Sequence, residues 1–329
     1  MKKLLFVSTY KSPSVLRDLH ILQNHFNCKE LFFPNASRKF FFTIHSVIQI
    51  LFRMLKADVC FVRFADFRAF LVVIFAKLFR KKSLIAIGGY EVANEPDFNY
   101  GALLTRSGGK RVKYILKNAD IIIANSDFSR NEIKKLENID VKVISHGIEN
   151  TLSFEKTITR DDVIVTIGSL KKDIYKLKGV DTFARAVTQV GVKAIAIGEF
   201  DKQVYAELKS INPELELPGF LPQNEITAIL KNAKVYCQLS YRESFGVALL
   251  EAMALGCIPV VTKNGALPEV VGDVGFYVEY GDVNKTADAI SKALKSNNSE
   301  DVIDRVNNKF LLQYREEKLL NLLTEKKWI

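Results

Sequence analysis

Apolar positions along the chain recur in two rhythms. Short, nearly continuous apolar runs at 3–8, 28–33, 59–64, 84–87, 120–124 and 141–144 alternate with stretches at 15–26, 69–79, 101–118 and 128–136, where apolar residues return every three or four positions. The first rhythm suits strands buried on both faces, the second helices laid over them. Pro34 is expected to close the second strand. The clearest amphipathic helix is 40–56. There Phe40, Phe41, Ile44, Val47, Ile48, Leu51, Phe52 and Leu55 make one apolar face, and His45, Ser46, Gln49, Arg53 and Lys56 take the other. After a linker-like His146-Gly147 the alternation begins again at residue 163. Strands are predicted at 163–168, 193–197, 215–217, 234–239, 258–261 and 276–278, and helices at 180–189, 203–210, 224–232, 286–295 and about 301–325. A further helix carries Glu251 and ends at Gly256. Strand and helix alternating in this way describe an α/β chain of two doubly wound parallel sheets.

Length changes this picture little: 329 residues exceed one hydrophobic core and suit two domains. Charge changes it more. Residues 1–150 hold 24 Lys+Arg against 13 Asp+Glu, and the remainder 23 against 24, so the whole excess lies in the first half. Between Arg38 and Lys82 ten basic residues face only Asp58 and Asp66, with many Phe interleaved. A solvated basic face, an anionic membrane surface and nucleic acid are three readings of that stretch. No stacking motif or binding module accompanies the charge, so no nucleic-acid partner is expected. The four cysteines have no metal-ligand spacing, and Cys60, Cys237 and Cys257 lie in apolar runs, as reduced core residues of a cytoplasmic protein would. The opening MKKLLFVSTY is too short an apolar run for a signal peptide, and no uninterrupted apolar run reaches the roughly 18 residues of a membrane span.

Chemistry concentrates at 242–262. A loop with Glu243, Ser244, Phe245 and Gly246 runs into the helix of Val247 and Glu251. A helix start presents free N–H groups and a positive dipole, a seat for nucleotide phosphates. One glutamate would then stand beside what the phosphates carry and the other a turn or two deeper, beside the nucleoside. Lys171, Lys172, Lys176 and Lys178 crowd the loop before the helix at 180, either as a diphosphate clamp or as a solvated loop. In the first half, Gly88-Gly89-Tyr90-Glu91 follows a strand at its carboxyl end, where ligands of parallel sheets bind. That segment reads equally as an ordinary turn. The loop beyond it offers Glu91, Glu95, Asp97 and Tyr100 as partners for sugar hydroxyls. No Gly-x-Gly-x-x-Gly fingerprint or Walker loop occurs.

Three segments of 162–281 resemble the C-terminal domain of retaining GT-B glycosyltransferases of family 4, the group 1 class: TIGSLKKDIYKLKGVDTFARAV, ELPGFLPQNEITAILKNAKVYCQLSYRESFGVALLEAMALGCIPVVT and GALPEVVGDVGFYVEYGD. ADIIIANSDFSRNEI and VISHGIEN resemble that family's last N-domain elements and hinge, while 1–100 resembles it weakly. The resemblance implies two Rossmann-like domains facing a cleft: 1–147 for the acceptor, 148–305 for the nucleotide sugar, and a helix at 306–329 packing back toward the N-domain. It implies that Glu243 lies beside the donor sugar, that the backbone of Phe245 and Gly246 meets sugar and diphosphate, that Glu251 holds the ribose, that Lys178 neutralises the phosphates, and that backbone near Phe220 and Leu221 faces the base. Ser169 stands where the family has an arginine, for which Lys171, Lys172 or Lys176 would substitute. Thr9-Tyr10-Lys11-Ser12-Pro13 replaces a glycine-rich loop, and Gly88-Gly89-Tyr90 falls near the family's histidine.

The implied function is transfer of a sugar, with retention and no metal or cofactor, from a UDP- or GDP-sugar to a lipid-linked or cell-surface glycan acceptor. The protein is expected to be cytoplasmic and peripheral on the membrane's cytoplasmic face, meeting an anionic surface through its basic half. The alternative is a sugar-nucleotide-binding partner subunit without catalysis.

Overall fold

The computed structural model describes residues 1–33, 40–149 and 160–329. Pro34, Arg38 and Lys39 lie outside the described residues, as do the side chains of Phe40 and Phe41. The chain divides into two compact units, Met1–Gly147 with Leu312–Ile329, and Ile148–Leu311.

The first unit runs β1 (Lys3–Ser8), α1 (Pro13–His25), β2 (Asn27–Phe32), α2 (Phe40–Leu55), β3 (Val59–Arg63), α3 (Phe67–Leu78), β4 (Lys82–Ala86), α4 (Arg106–Asn118), β5 (Ile121–Ala124), α5 (Asp127–Leu136) and β6 (Lys142–Val143). Among the described residues these strands form a parallel sheet in the order β2-β1-β3-β4-β5-β6. β3 and β5 are buried along their whole length, which explains their unbroken apolar sequence. Helix starts are fixed by side chains. Asp66 accepts from the backbone N–H groups of Arg68 and Ala69 to open α3, and Ser126 accepts from that of Ser129 to open α5.

The second unit runs β7 (Asp161–Ile167), α6 (Val180–Val190), β8 (Ala194–Ile197), α7 (Lys202–Ile211), β9 (Glu216–Gly219), α8 (Gln223–Asn232), β10 (Ala233–Gln238), α9 (Val247–Ala254), β11 (Ile258–Thr262), α10 (Leu267–Val271), β12 (Phe276–Val278), α11 (Val283–Lys295) and α12 (Ser299–Lys309). Its parallel sheet has the order β12-β11-β10-β7-β8-β9. Strand order reverses between β7 and β10 here, and between β1 and β3 in the first unit. Such switch points open a crevice at the strands' carboxyl ends.

Two expectations are corrected. The single helix at about 301–325 is two, because Phe310 and Leu311 are both buried and the chain straightens there; Ile148 donates its N–H to the Phe310 carbonyl. α12 therefore lies wholly in the second unit, and the segment that returns to the first begins at Leu312 rather than 306. The returning helix, α13 (Leu312–Glu325), buries Leu319, Leu322 and Leu323 with Trp328 against Phe6, Val15 and Leu19. In α2, among the residues whose burial is described, Ser46, Ile50 and Met54 are buried with Val47 packed beside them, whereas Ile44, Ile48, Phe52 and Leu55 of the apolar face are exposed. The helix is apolar on two sides and the sheet takes only one.

Returning α13 also carries a charge into the core of the first unit. Arg315 donates from Nε and Nη2 to the carboxylate of Asp18 at 2.5 and 2.9 Å, and from Nη1 to the carbonyls of Ile144 and Ser145. Arg63, at the end of β3, donates to the same carboxylate at 3.0 Å. All three side chains are buried. Burial alone would raise the Asp18 carboxyl, but the two guanidinium groups outweigh it and hold it below its usual 3.8.

Candidate active site

The site in the second unit forms at its switch point. β7 ends at Ile167 and the chain passes through Gly168 and Ser169 into the lysine loop, which is bound to the end of β10 by backbone: Tyr241 donates its N–H to the Leu177 carbonyl at 2.8 Å. Gly179 opens α6 with φ +68, and a Cβ there would lie 2.1 Å from the Leu239 carbonyl oxygen. Only glycine fits such a conformation at such an approach. Lys178, one residue earlier, lays its side chain past Gly168 and reaches Glu243, with Nζ 2.6 Å from Oε2. Both side chains are partly exposed, at 22% and 15%. The lysine and glutamate singled out from the sequence, 65 positions apart, are thus a single ion pair in this state.

Glu243 is held from behind. Ala266 donates its N–H to the Glu243 carbonyl at 2.9 Å, and a Cβ on Gly265 would come within 2.2 Å of that oxygen. The loop after β11 therefore clasps the loop before α9. Ser244 donates its own N–H to Glu243 Oε1 at 3.2 Å. Gly246 caps α9 at φ 90, Val247 begins the helix, and the Phe245 ring is buried edge-on to Phe310 at 5.8 Å. The Phe245 side chain serves packing. Glu251 stands one turn into α9, on the same face as Val247, and accepts from Gln223 Nε2 at 3.3 Å.

Beside this, Gly168, Ser169, Lys171, Phe220, Leu221 and Ile226 line a cavity of about 300 Å³ at the ends of β7, β8 and β9. Its cation is Lys171, paired with Glu199 at 2.9 Å. Lys172 is exposed and outside that lining; its backbone N–H bonds Asp201. Below the site runs a buried polar chain: Tyr236 Oη donates to Gln238 Oε1 at 2.9 Å and Gln238 Nε2 to Ser240 Oγ at 2.8 Å, while Thr262 Oγ1 donates to the Ser240 carbonyl at 2.6 Å. Burial first, and the Glu243 charge second, push the Tyr236 hydroxyl well above its ordinary pKa of 10.0, so it stays protonated. Gly265, Gln223 and this relay were not singled out from sequence. Gly265 alone had a signal, since it ends a carboxyl-end loop.

In the first unit Glu91 is not a free acceptor. Its buried carboxylate takes the N–H groups of Ala65, Gly88 and Gly89 at 2.8, 3.0 and 2.7 Å, tying the loops after β3 and β4 together. Gly88 is needed because the Phe64 ring lies where its Cβ would be, and Phe64 itself has φ 74. Tyr90 is exposed and meets Tyr100 edge-on at 5.1 Å; Tyr10 meets Phe64 likewise at 5.8 Å. Among the described residues no cluster of His, Cys, Asp and Glu suits a metal ion, and no helix is long and apolar enough to cross a membrane.

Two parallel six-stranded sheets with flanking helices are the GT-B glycosyltransferase fold. Residues 149–309, nearly the whole second unit, match the family described as Glycosyl transferases group 1, and that domain belongs to it. Among curated relatives, the N-acetyl-alpha-D-glucosaminyl L-malate synthase of Bacillus anthracis is 26% identical over 64% of this chain and 60% of its own length. The capsular polysaccharide biosynthesis glycosyltransferase CapM of Staphylococcus aureus is 30% identical over 54% of each chain. The match thus spans between half and two thirds of these relatives' length. Among solved structures, HepE of Anabaena in complex with UDP and glucose is similar with a TM-score of 0.78 at 16% identity, covering 99% of this chain and 100% of that one. Sucrose-phosphate synthase of Thermosynechococcus elongatus reaches 0.81 at 14%, covering 99% of each. At those identities the likeness carries the fold alone.

Proposed function

We propose that the protein is a retaining glycosyltransferase that moves a sugar from a UDP- or GDP-sugar to a lipid-linked or cell-surface glycan acceptor at the cytoplasmic face of a membrane. The observation that carries the reading is the Lys178–Glu243 pair, held at the switch point beside the start of α9 and next to the 300 Å³ cavity. The donor's base would enter that cavity against Phe220 and Leu221, and Glu251 would take the ribose hydroxyls. The diphosphate would take Lys178 from Glu243, freeing the carboxylate for the sugar.

Transfer then breaks the bond from the sugar's anomeric carbon to the diphosphate oxygen and forms one to an acceptor hydroxyl oxygen on the same face. The departing phosphate oxygen takes the hydroxyl proton. Lys178 and the N–H groups of Phe245 and Gly246 stabilise the charge that develops on the phosphate. The reading assigns that work to them and calls for no metal. One such preorganised donor is worth about 3 kcal/mol. The first unit would hold the acceptor, with Tyr90 and the Gly88-Gly89 backbone on the side of the incoming hydroxyl. A UDP donor has the added support of HepE, a structural neighbour solved with UDP.

The test is turnover and donor hydrolysis by purified protein with a panel of nucleotide sugars, and with Lys178→Ala and Glu243→Ala. Each variant should lose about 100- to 1,000-fold in rate with its melting temperature nearly unchanged. Binding of a donor with no product from any acceptor would instead identify a non-catalytic partner subunit. Absence of any nucleotide-sugar affinity would sink the reading.

A further inference from the structure

α2 presents to solvent the kind of face that helices ordinarily bury. Ile44, Ile48, Phe52 and Leu55 lie at i, i+4, i+8 and i+11, within about a quarter of the helix circumference, and are 41%, 46%, 63% and 49% exposed. The core side, formed by Ile50 and Met54 against α3, is already satisfied. The outer stripe is therefore a second apolar face and not an error of register. Single exposed apolar side chains are commonplace, but four in a row on one helix mark a contact surface.

What meets this face is decided by charge. Where the C-terminal end of α2 passes β1 and β2, a groove of about 420 Å³ is lined by Lys3, Lys29, Arg53 and Lys56 around Phe52, and among the described residues no carboxylate lines it. Glu30 lies near, but its carboxylate accepts from Gln23 and its backbone carbonyl from Arg53 Nη1. Asp58 is turned to the backbone N–H of Lys3. Four cations around an aromatic ring, at the edge of an exposed aliphatic stripe, match a layer that is apolar inside and anionic at its surface.

We infer that the outer face of α2, with the Lys3–Lys29–Arg53–Lys56 groove, docks the protein on an anionic lipid bilayer, Ile48 and Phe52 entering the headgroup region while the cations meet lipid phosphates. The inference rests on the reading that the acceptor is met at a membrane, and it makes that reading specific to one helix. The stripe supplies apolar burial and the groove supplies the preference for negative lipids, two contributions that separate experimentally.

The experiment is cosedimentation of the full chain with phosphatidylcholine vesicles, with and without phosphatidylglycerol, over rising salt. Three proteins are compared: wild type, Ile48→Ser with Phe52→Ser, and Arg53→Gln with Lys56→Gln. Wild type should bind the anionic vesicles and lose them as salt rises. The apolar double variant should bind at least about tenfold more weakly. The charge variant should lose roughly fivefold per cation and much of the salt dependence. All four positions are exposed, so melting temperatures should match wild type. Equal binding to neutral vesicles, or wild-type binding by both variants, would overturn the inference. So would a dimer of the wild type, seen by analytical ultracentrifugation, that Ile48→Ser with Phe52→Ser dissolves, since a second copy would then cover the face. UDP and GDP affinity measured without vesicles keeps the two readings apart. Lost vesicle binding with intact nucleotide affinity counts against docking alone, and the converse against the transferase reading alone.

Discussion

The two sheets each have a switch point beside their unit's first strand, with one strand beyond it in the first unit and two in the second, and their carboxyl edges are held in opposite ways. In the second unit the edge is backbone work. Gly179 presses on Leu239, Gly265 on Glu243, and main-chain hydrogen bonds run from Tyr241 to Leu177 and from Ala266 to Glu243. Side chains with charge, Lys178 and Glu243, are thereby left partly exposed as an ion pair. In the first unit charge itself is the fastening. Asp18, Arg63 and Arg315 lock α1, β3 and α13, and Glu91 binds two loops through three N–H groups. A glycine-built edge keeps its ionic groups for chemistry, whereas an edge built on buried carboxylates has used them.

The largest expected effect breaks the fastening. Asp18→Ala leaves Arg63 and Arg315 buried without their carboxylate and should cost about 3–5 kcal/mol in chemical denaturation. A loss under about 1 kcal/mol would mean that the triad is incidental and the contrast false. Gly179→Ala tests the other edge. Strain at φ +68 and the collision with the Leu239 carbonyl should cost about 1–3 kcal/mol and displace Lys178, so nucleotide affinity should fall with stability. A variant with wild-type affinity would show that the lysine does not depend on that approach.

A smaller effect is a dependence on pH confined to the first unit. His146 is buried, and burial, followed by the charges of Arg315, Arg63 and Arg17, sets its pKa well below the usual 6.5. The unfolded chain takes up that proton first as pH falls. Stability should be unaffected by this group above about pH 6.5 and should decline below it, by at most about 1.4 kcal/mol per pH unit, until the folded pKa is reached. Melting temperatures of wild type and His146→Gln across this range test it. Identical slopes would place the acid sensitivity elsewhere.

Much of the candidate site was legible because its parts are short and local. The loop Glu243-Ser244-Phe245-Gly246 is contiguous with its helix, and Lys178 stands directly before its glycine, so neighbours in sequence remain neighbours in the fold. The strands of both sheets were legible for the same reason: burial on both faces writes an apolar run into the chain. Glu91 misled because a carboxylate in a glycine-rich loop reads alike whether it faces a ligand or the loop's own N–H groups. α2 shows what periodicity leaves open. α9 and α2 are both strongly apolar helices, but α9 is packed against β10, β11 and α12, while α2 has α3 on one side and its outer stripe exposed.

By itself, then, the sequence determined the alternation of elements, the two sheets and the chemical vocabulary of the candidate site, since each depends on residues within a few positions of one another. The tertiary structure alone decided that Lys178 and Glu243 pair across 65 positions, that Arg315 returns to Asp18, and that one apolar face of α2 lies outward. Periodicity states which side chains share a face of a helix. Whether protein or solvent lies over that face depends on where the rest of the chain comes to rest.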